Sequence, residues 1–184
     1  MRLFTGIDLP EEVRDRLERL LTHLRPLAHL KWSPIYNLHL TLKFIGEWPE
    51  QKLPELQAAL GSIAPRAPIP AGIKGLGFFP NPRHPRVFWA GVECGDDLAA
   101  LVRDTEAALE PLGIAKEDRV FSAHLTLARI KEAAPLDALR NVLSQMESLE
   151  FSSFSMDRFY LYRSQPGSAG SIYTKLAEYP FSAK

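Results

Sequence analysis

The sequence has one cysteine, Cys94, in 184 residues. An internal disulfide is therefore excluded, and a lone thiol suits a reducing compartment. Net charge is also missing: 22 Lys and Arg balance 22 Asp and Glu. That argues against a protein that coats nucleic acid by bulk electrostatics, while leaving room for a local basic cleft. No apolar run approaches the ~18–20 residues that cross a bilayer. The start, Met1-Arg2-Leu3-Phe4-Thr5-Gly6-Ile7-Asp8, meets acids and prolines too early for a signal peptide. There is no His-Glu-x-x-His. The expectation is a cytoplasmic protein without a membrane segment, metal or cofactor. At 46% hydrophobic and 24% charged residues it is ordinary globular material.

What the chain does have is a repeated tetrapeptide. His39-Leu40-Thr41-Leu42 returns as His124-Leu125-Thr126-Leu127, 85 residues on. In a strand, alternate side chains share a face. Each copy then presents an imidazole and a hydroxyl on one side and two leucines on the other. The surrounding pattern repeats too. Arg2 to Ile7 reads as a strand, and Arg86 to Val92 resembles it. Pro10-Glu11-Glu12 opens a helix with Val13, Leu17, Leu20, Leu21 and Leu24 at helical spacing, ended by Pro26. Asp96-Asp97 caps the corresponding helix, which carries Leu98, Leu101, Val102, Thr105, Leu109 and Leu112 and stops at Gly113. Leu30-Lys31-Trp32 is a short extended piece. The motif strands span 37–45 and 120–130, and helices follow at 50–63 and from Pro135 to Met146. Segment 65–77 reads as strand with bends, 78–86 as a proline-rich loop, and 149–154, 156–163 and 171–178 as strands. Gly6 and Gly91, like Ile45 and Ile130, also stand 85 apart.

This order reads as an internal duplication, with halves at about 1–80 and 85–165 of a single bilobal domain spanning 1–184. A pseudo-two-fold axis would bring the two polar fronts into one cleft. Two histidines, with unperturbed pKa values of about 6.5, can divide proton transfer between a base and an acid. A cyclic phosphodiester needs that division: water loses a proton as it attacks, and the departing sugar oxygen gains one. Thr41 and Thr126 would donate to non-bridging phosphate oxygens. A single His-x-Thr is far more often core packing; the duplication reverses that weighting. Zinc is the competing reading, but neither motif has the third ligand that a catalytic site needs. His23 and His29 suit the end of the first helix, and His84 is a surface residue of the proline-rich loop.

The chain resembles the two-histidine (2H) phosphoesterase superfamily, specifically the bacterial RNA 2′,3′-cyclic phosphodiesterases first described as 2′-5′ RNA ligases. The residues that carry the resemblance are Trp32, the run from Asn37 to Glu47, the run from Pro85 to Val92, His124 to Arg129, and Leu161-Tyr162-Arg163-Ser164. It implies an α+β fold of two lobes, each an antiparallel sheet backed by helices, with the active-site cleft between them. By the same resemblance His39 is the proton donor to the leaving ribose oxygen and His124 the acceptor that activates water. Thr41 and Thr126 hold the phosphate, Phe44 stacks on a base, and Arg129 stands near the phosphate. The partner implied is RNA with a 2′,3′-cyclic phosphate end, such as tRNA-like fragments or oligonucleotides, bound by a monomer. Opening the ring to a 2′-phosphate is the expected reaction, and its reversal on a 5′-hydroxyl gives a 2′-5′ linkage. The alternatives are a phosphodiesterase for small cyclic nucleotides or 2′-5′ oligonucleotides, and a binding module without turnover.

Strand parity objects to two of these residues. Phe44 and Arg129 lie five positions beyond their histidines, an odd step that points them away unless the strand bulges. On that reading Phe44 is core and Arg129 a solvated charge. The family usually has Arg-Pro or a similar pair before the second histidine, where this chain has Ser122-Ala123. Arg83, Arg86, Lys43, Lys131 and Arg163 are candidates for a basic rim.

Overall fold

The structure is a computed structural model that describes residues 1–131 and 134–182. Along the chain run β1 (Arg2–Asp8), α1 (Glu11–Leu24), β2 (Lys31–Trp32), β3 (His39–Glu47), α2 (Leu53–Gly61), β4 (Ile69–Phe79) and β5 (Val87–Cys94). Then come α3 (Asp96–Leu109), β6 (His124–Arg129), α4 (Asp137–Ser144), β7 (Glu150–Met156), β8 (Arg158–Gly167) and β9 (Gly170–Pro180). The strands join in one antiparallel sheet ordered β7-β4-β5-β6-β3-β1-β8-β9, with β2 paired to β6. The fold is α+β, with helices against the sheet.

The sheet has two arms, β3-β1-β8-β9 and β6-β5-β4-β7. They meet where Leu40 of β3 pairs with Leu125 of β6. These leucines hold the same position in the two motifs. Equivalent residues facing each other in an antiparallel ladder place a two-fold through the pair. The arms interleave in sequence, since β8 and β9 complete the arm that β1 and β3 begin.

Periodicity explains the helices. In α1, Val13, Leu17, Leu21 and Leu24 form a buried stripe, behind Glu11 and Glu12 in the first turn. In α3 the N-cap position belongs to Gly95, and Asp96 and Asp97 lie inside the first turn rather than capping it. Their charge there meets the positive end of the helix dipole. A short 3-10 turn, Glu110–Leu112, follows and ends at Gly113, whose φ of 83° suits glycine. The core lies between helices and sheet, with Leu40, Leu125, Leu127 and Phe88 fully buried.

Several boundaries differ from expectation. The second motif strand starts at His124, not Val120. Phe78 and Phe79 belong to β4, not to the following loop, because they pair with Phe88 and Val87. Helix α4 begins at Asp137 and α2 at Leu53, the latter after a 3-10 turn over Glu50–Lys52. The duplication also slips. Leu40 pairs with Ile7 and Leu125 with Ala90, so β1 and β5 correspond at a spacing two residues short of 85. Gly6 and Gly91 are therefore not spatial equivalents: Asp8 stands opposite His39, and Gly91 opposite His124. A slide of two residues keeps every side chain on its face, so hydrophobic patterning tolerates it.

Candidate active site

Leu40 and Leu125 are fully buried beneath the sheet. Their strand neighbours His39, Thr41, His124 and Thr126 therefore project from the opposite face at the junction of the arms. All four line one cleft of about 380 Å³. The strongly buried leucines set the register that brings the imidazoles together.

The two histidines are held alike. Nδ1 of His39 lies 2.7 Å from the carbonyl oxygen of Asn37, and Nδ1 of His124 lies 2.7 Å from that of Ser122. A carbonyl can only accept, so both Nδ1 atoms carry the proton and donate it. That leaves each Nε2 to exchange protons with a ligand. The clamp uses the backbone two residues upstream, so it tolerates Ser122-Ala123 in the second copy. Each ring also meets an aromatic edge. His39 and Tyr173 have centroids 5.0 Å apart at 83°, and His124 and Phe79 repeat both values.

The surroundings then diverge. Nε2 of His39 lies 3.0 Å from Thr41 Oγ1, accepting from the hydroxyl when neutral and donating to it when protonated. Phe4 packs on the same ring at 4.8 Å. Burial pushes the His39 pKa below its ordinary value. The Asn37 carbonyl and the nearby Asp8 carboxylate oppose that shift, and the charge of His124 adds to it. Asp8 itself is held below the usual carboxylate range, against the effect of its own burial, by Lys175 and Arg14, both of which bond it.

Phe44 and Arg129 line the same cleft, against simple parity. A bulge explains each. Thr5 pairs with Lys43 and Gly6 with Thr41, leaving Leu42 as an extra residue in β3. Phe88 pairs with Ala128 and Trp89 with Thr126, leaving Leu127 extra in β6. Two consecutive buried residues follow each threonine, Leu42-Lys43 and Leu127-Ala128. The next side chain then emerges on the cleft side. Phe44 is 55% exposed there rather than core.

The basic rim is redistributed. The same bulge sends Lys43 to the back of the sheet, 2% exposed, where its Nζ donates to the Ala115 carbonyl and pairs with Glu106 and Glu117. Arg83, Lys131 and Arg163 do not line the cleft, and Arg86 lines an adjoining groove. Among the described residues, the cations that line it are Arg129, Arg2 and Lys31, and no carboxylate does. Arg2 had a signal in the sequence, the likeness of Arg2-Leu3-Phe4 to Arg86-Val87-Phe88. Lys31 reaches the site because β2 pairs with β6 beside Arg129. Tyr173 and Ser171 had no signal, because β9 reaches the cleft only through the β8–β9 hairpin. Neither His23 nor His84 lines the cleft, and His23 Nδ1 instead contacts the Arg19 carbonyl at 2.7 Å. Among the described residues no group of three His, Cys, Asp or Glu could hold a metal ion. No helix among them is long and apolar enough to cross a membrane.

Two imidazoles with fixed tautomers and two hydroxyls, converging in a cationic cleft at the junction of a doubled sheet, define a two-histidine phosphoesterase. The comparisons with known proteins agree. The chain belongs to the LigT-like phosphoesterase family, whose sequence profile matches it over residues 7–89 and again over 92–173. It is 33% identical over 178 residues to the RNA 2′,3′-cyclic phosphodiesterase of Methanothermobacter thermautotrophicus, covering 96% of each chain. It is 38% identical over 187 residues to the enzyme of that name from Thermus thermophilus, covering 97% of this chain and 89% of the relative. Among solved structures, TT0787 of Thermus thermophilus superposes with a TM-score of 0.82 at 36% identity, over 98% of both chains. E. coli LigT complexed with 3′-AMP gives a TM-score of 0.78 at 25% identity, over 99% of this chain and 98% of that one.

Proposed function

We propose that this protein is an RNA 2′,3′-cyclic phosphodiesterase that opens a terminal cyclic phosphate to a 2′-phosphate by acid–base catalysis between His39 and His124. The observation that carries this is the pair of Nδ1-clamped imidazoles in one cleft, with neither Nε2 taken by the backbone and that of His39 bonded to Thr41 Oγ1. His124 Nε2 takes a proton from water as its oxygen attacks phosphorus. The bond from phosphorus to the ribose 3′-oxygen breaks, and His39 Nε2–H protonates that oxygen. Thr41 and Thr126 donate to the non-bridging oxygens as their charge grows, and Arg129 and Arg2 balance it. Phe44 offers its face to the terminal base. Burial alone favours neutral His39, but the anionic phosphate entering the cleft opposes that shift and supports the protonated donor.

The names of the relatives support this reading, as the cleft does. The same cleft supports a second substrate, a small cyclic nucleotide, since E. coli LigT has been solved with 3′-AMP. Turnover of a cyclic-phosphate mononucleotide and of an oligonucleotide with the same end separates the two. The decisive assay follows conversion of a 2′,3′-cyclic phosphate oligonucleotide to its 2′-phosphate in EDTA. Full activity is expected. Binding of the cyclic end without any product over long incubation would refute turnover.

A further inference from the structure

The pseudo-two-fold makes Phe4 of β1 and Val87 of β5 equivalent, since Phe4 pairs with Phe44 and Val87 with Arg129. Gly6 and Trp89 correspond in the same way, opposite Thr41 and Thr126. The exchange leaves the two imidazoles unequally supported. Phe4 packs directly on His39, Tyr162 stacks behind Phe4 at 5.0 Å and 11°, and Thr41 bonds the ring. Val87 gives His124 no ring to lean on. Among the described residues, His124 has one hydrogen bond, from Nδ1 to the Ser122 carbonyl, and one aromatic contact, with Phe79. A single bond at Nδ1 lets the ring tilt about it, so the edge contact with Phe79 decides where Nε2 points.

Phe79 is itself backed by Trp89, whose ring lies 5.1 Å away at 31°. Trp89 pairs with Gly77 of β4, and its indole lies on the bare backbone there. A Cβ at Gly77 would fall 2.7 Å from Cη2 and 2.8 Å from Cε2 of the indole, and nearer still to Cζ2. On the other side a Cβ at Gly91 would meet Cζ3 at 3.4 Å. Gly77 is not among the glycines with positive φ, so what glycine supplies there is room rather than backbone freedom. Trp89 Nε1 is buried without a hydrogen-bond partner among the described residues, so packing seats the ring.

Resting on the cyclic-phosphodiesterase reading, we propose that Trp89, seated on Gly77, is a positioning residue for the general base and acts on His124 through Phe79. The indole sets the height of Phe79 above the sheet, and Phe79 sets the tilt of the imidazole. Alignment of Nε2 with the attacking water depends on that tilt, and a misplacement of about 1 Å can cost about 10²-fold in rate. The first half needs no such relay, because Phe4 and Tyr173 reach His39 directly.

The test is a double-mutant cycle with a spectroscopic readout. Gly77→Ala puts a methyl group where the indole lies, and Phe79→Leu, at a half-buried position, removes the linking ring. Each is expected to lower kcat roughly tenfold on a cyclic-phosphate oligonucleotide, with KM within about twofold. Each should also move the Cε1–H signal of His124 in NMR spectra while that of His39 stays in place. Because the effect passes through Phe79, the double variant should be no slower than Phe79→Leu alone. Losses that multiply in the double variant, an unchanged kcat, an unmoved His124 signal, or equal movement of both histidine signals would overturn the proposal. If Gly77→Ala does not fold, Trp89→Phe takes its place in the cycle under the same outcomes, since it gives up no hydrogen bond. A wild type that opens no cyclic phosphate overturns the function proposed above. The histidine signals, read without substrate, still decide whether Trp89 positions His124.

Discussion

The two halves of the site share a frame and differ in what surrounds it. His39 and His124 have the same backbone clamp and the same edge-on aromatic neighbour. Opposite His39 stands Asp8, whereas opposite His124 stands Gly91, where even a Cβ would come within 2.4 Å of the Lys74 carbonyl. His39 is packed by Phe4 and Tyr173 and bonded to Thr41, while His124 faces a wide groove. The difference suits a division of labour. An acid delivers its proton to an oxygen already held in the site, so enclosure and a nearby carboxylate serve it. A base must meet an incoming nucleophile, so open space serves it. Symmetry thus supplies the two groups, and the departures from symmetry are what the proposed roles rest on.

The largest way to break this comparison is to remove each imidazole. His39→Ala and His124→Ala are each expected to lower kcat by about 10²–10⁴-fold on a cyclic-phosphate oligonucleotide. An activated aryl phosphodiester sharpens the result, because its leaving group needs no proton. It should recover most of the rate in His39→Ala and little in His124→Ala. Equal recovery in both would erase the distinction between acid and base.

The hydroxyls come next. Thr41→Val and Thr126→Val keep the branched shape and delete one donor each, with an expected loss of about 10²–10³-fold if both meet the developing charge. A much smaller loss at Thr41 would mean that its hydroxyl serves mainly to hold His39.

Phe44→Ala should cost about 1–3 kcal/mol of binding through one lost base stack, seen as a raised KM with kcat little changed. An unchanged KM would return Phe44 to the surface residues.

The smallest effect concerns Asp8. Burial already lowers the His39 pKa, and Asp8 pulls it back up. Removing the carboxylate in Asp8→Asn lowers it further. If protonated His39 is the active form in the free enzyme, activity is lost as pH rises through that pKa, so the alkaline limb of the kcat/KM profile should move to lower pH. A shift toward higher pH in Asp8→Asn would assign that limb to another group.

Much of this was readable from the residues. His39, Thr41, His124 and Thr126 repeat as a block, and Leu40 and Leu125 between them demanded burial. Phe44 and Arg129 show where period-two reasoning fails. One extra residue, Leu42 or Leu127, reverses parity, and nothing in Leu-Lys or Leu-Ala advertises a bulge. The bulge also turned Lys43 from a rim residue into a buried ion-pair partner of Glu106, because the side chain that parity assigned to the cleft went to the other face. Gly6 and Gly91 failed differently: their match in sequence survived a two-residue slide that their partners in space did not share.

The sequence by itself determined the doubled plan, the four polar groups of the site, and the leucines that force them onto one face. Those follow from side-chain alternation and from the cost of exposing apolar surface, both local and repeated in each half. Tertiary structure alone decided the bulges, the arrival of Tyr173, Arg2 and Lys31, and the placing of Asp8 against one histidine only. These depend on strand register and on chain ends folding back across the sheet, and a slide of two residues leaves the hydrophobic pattern unchanged, so that pattern alone does not reveal them.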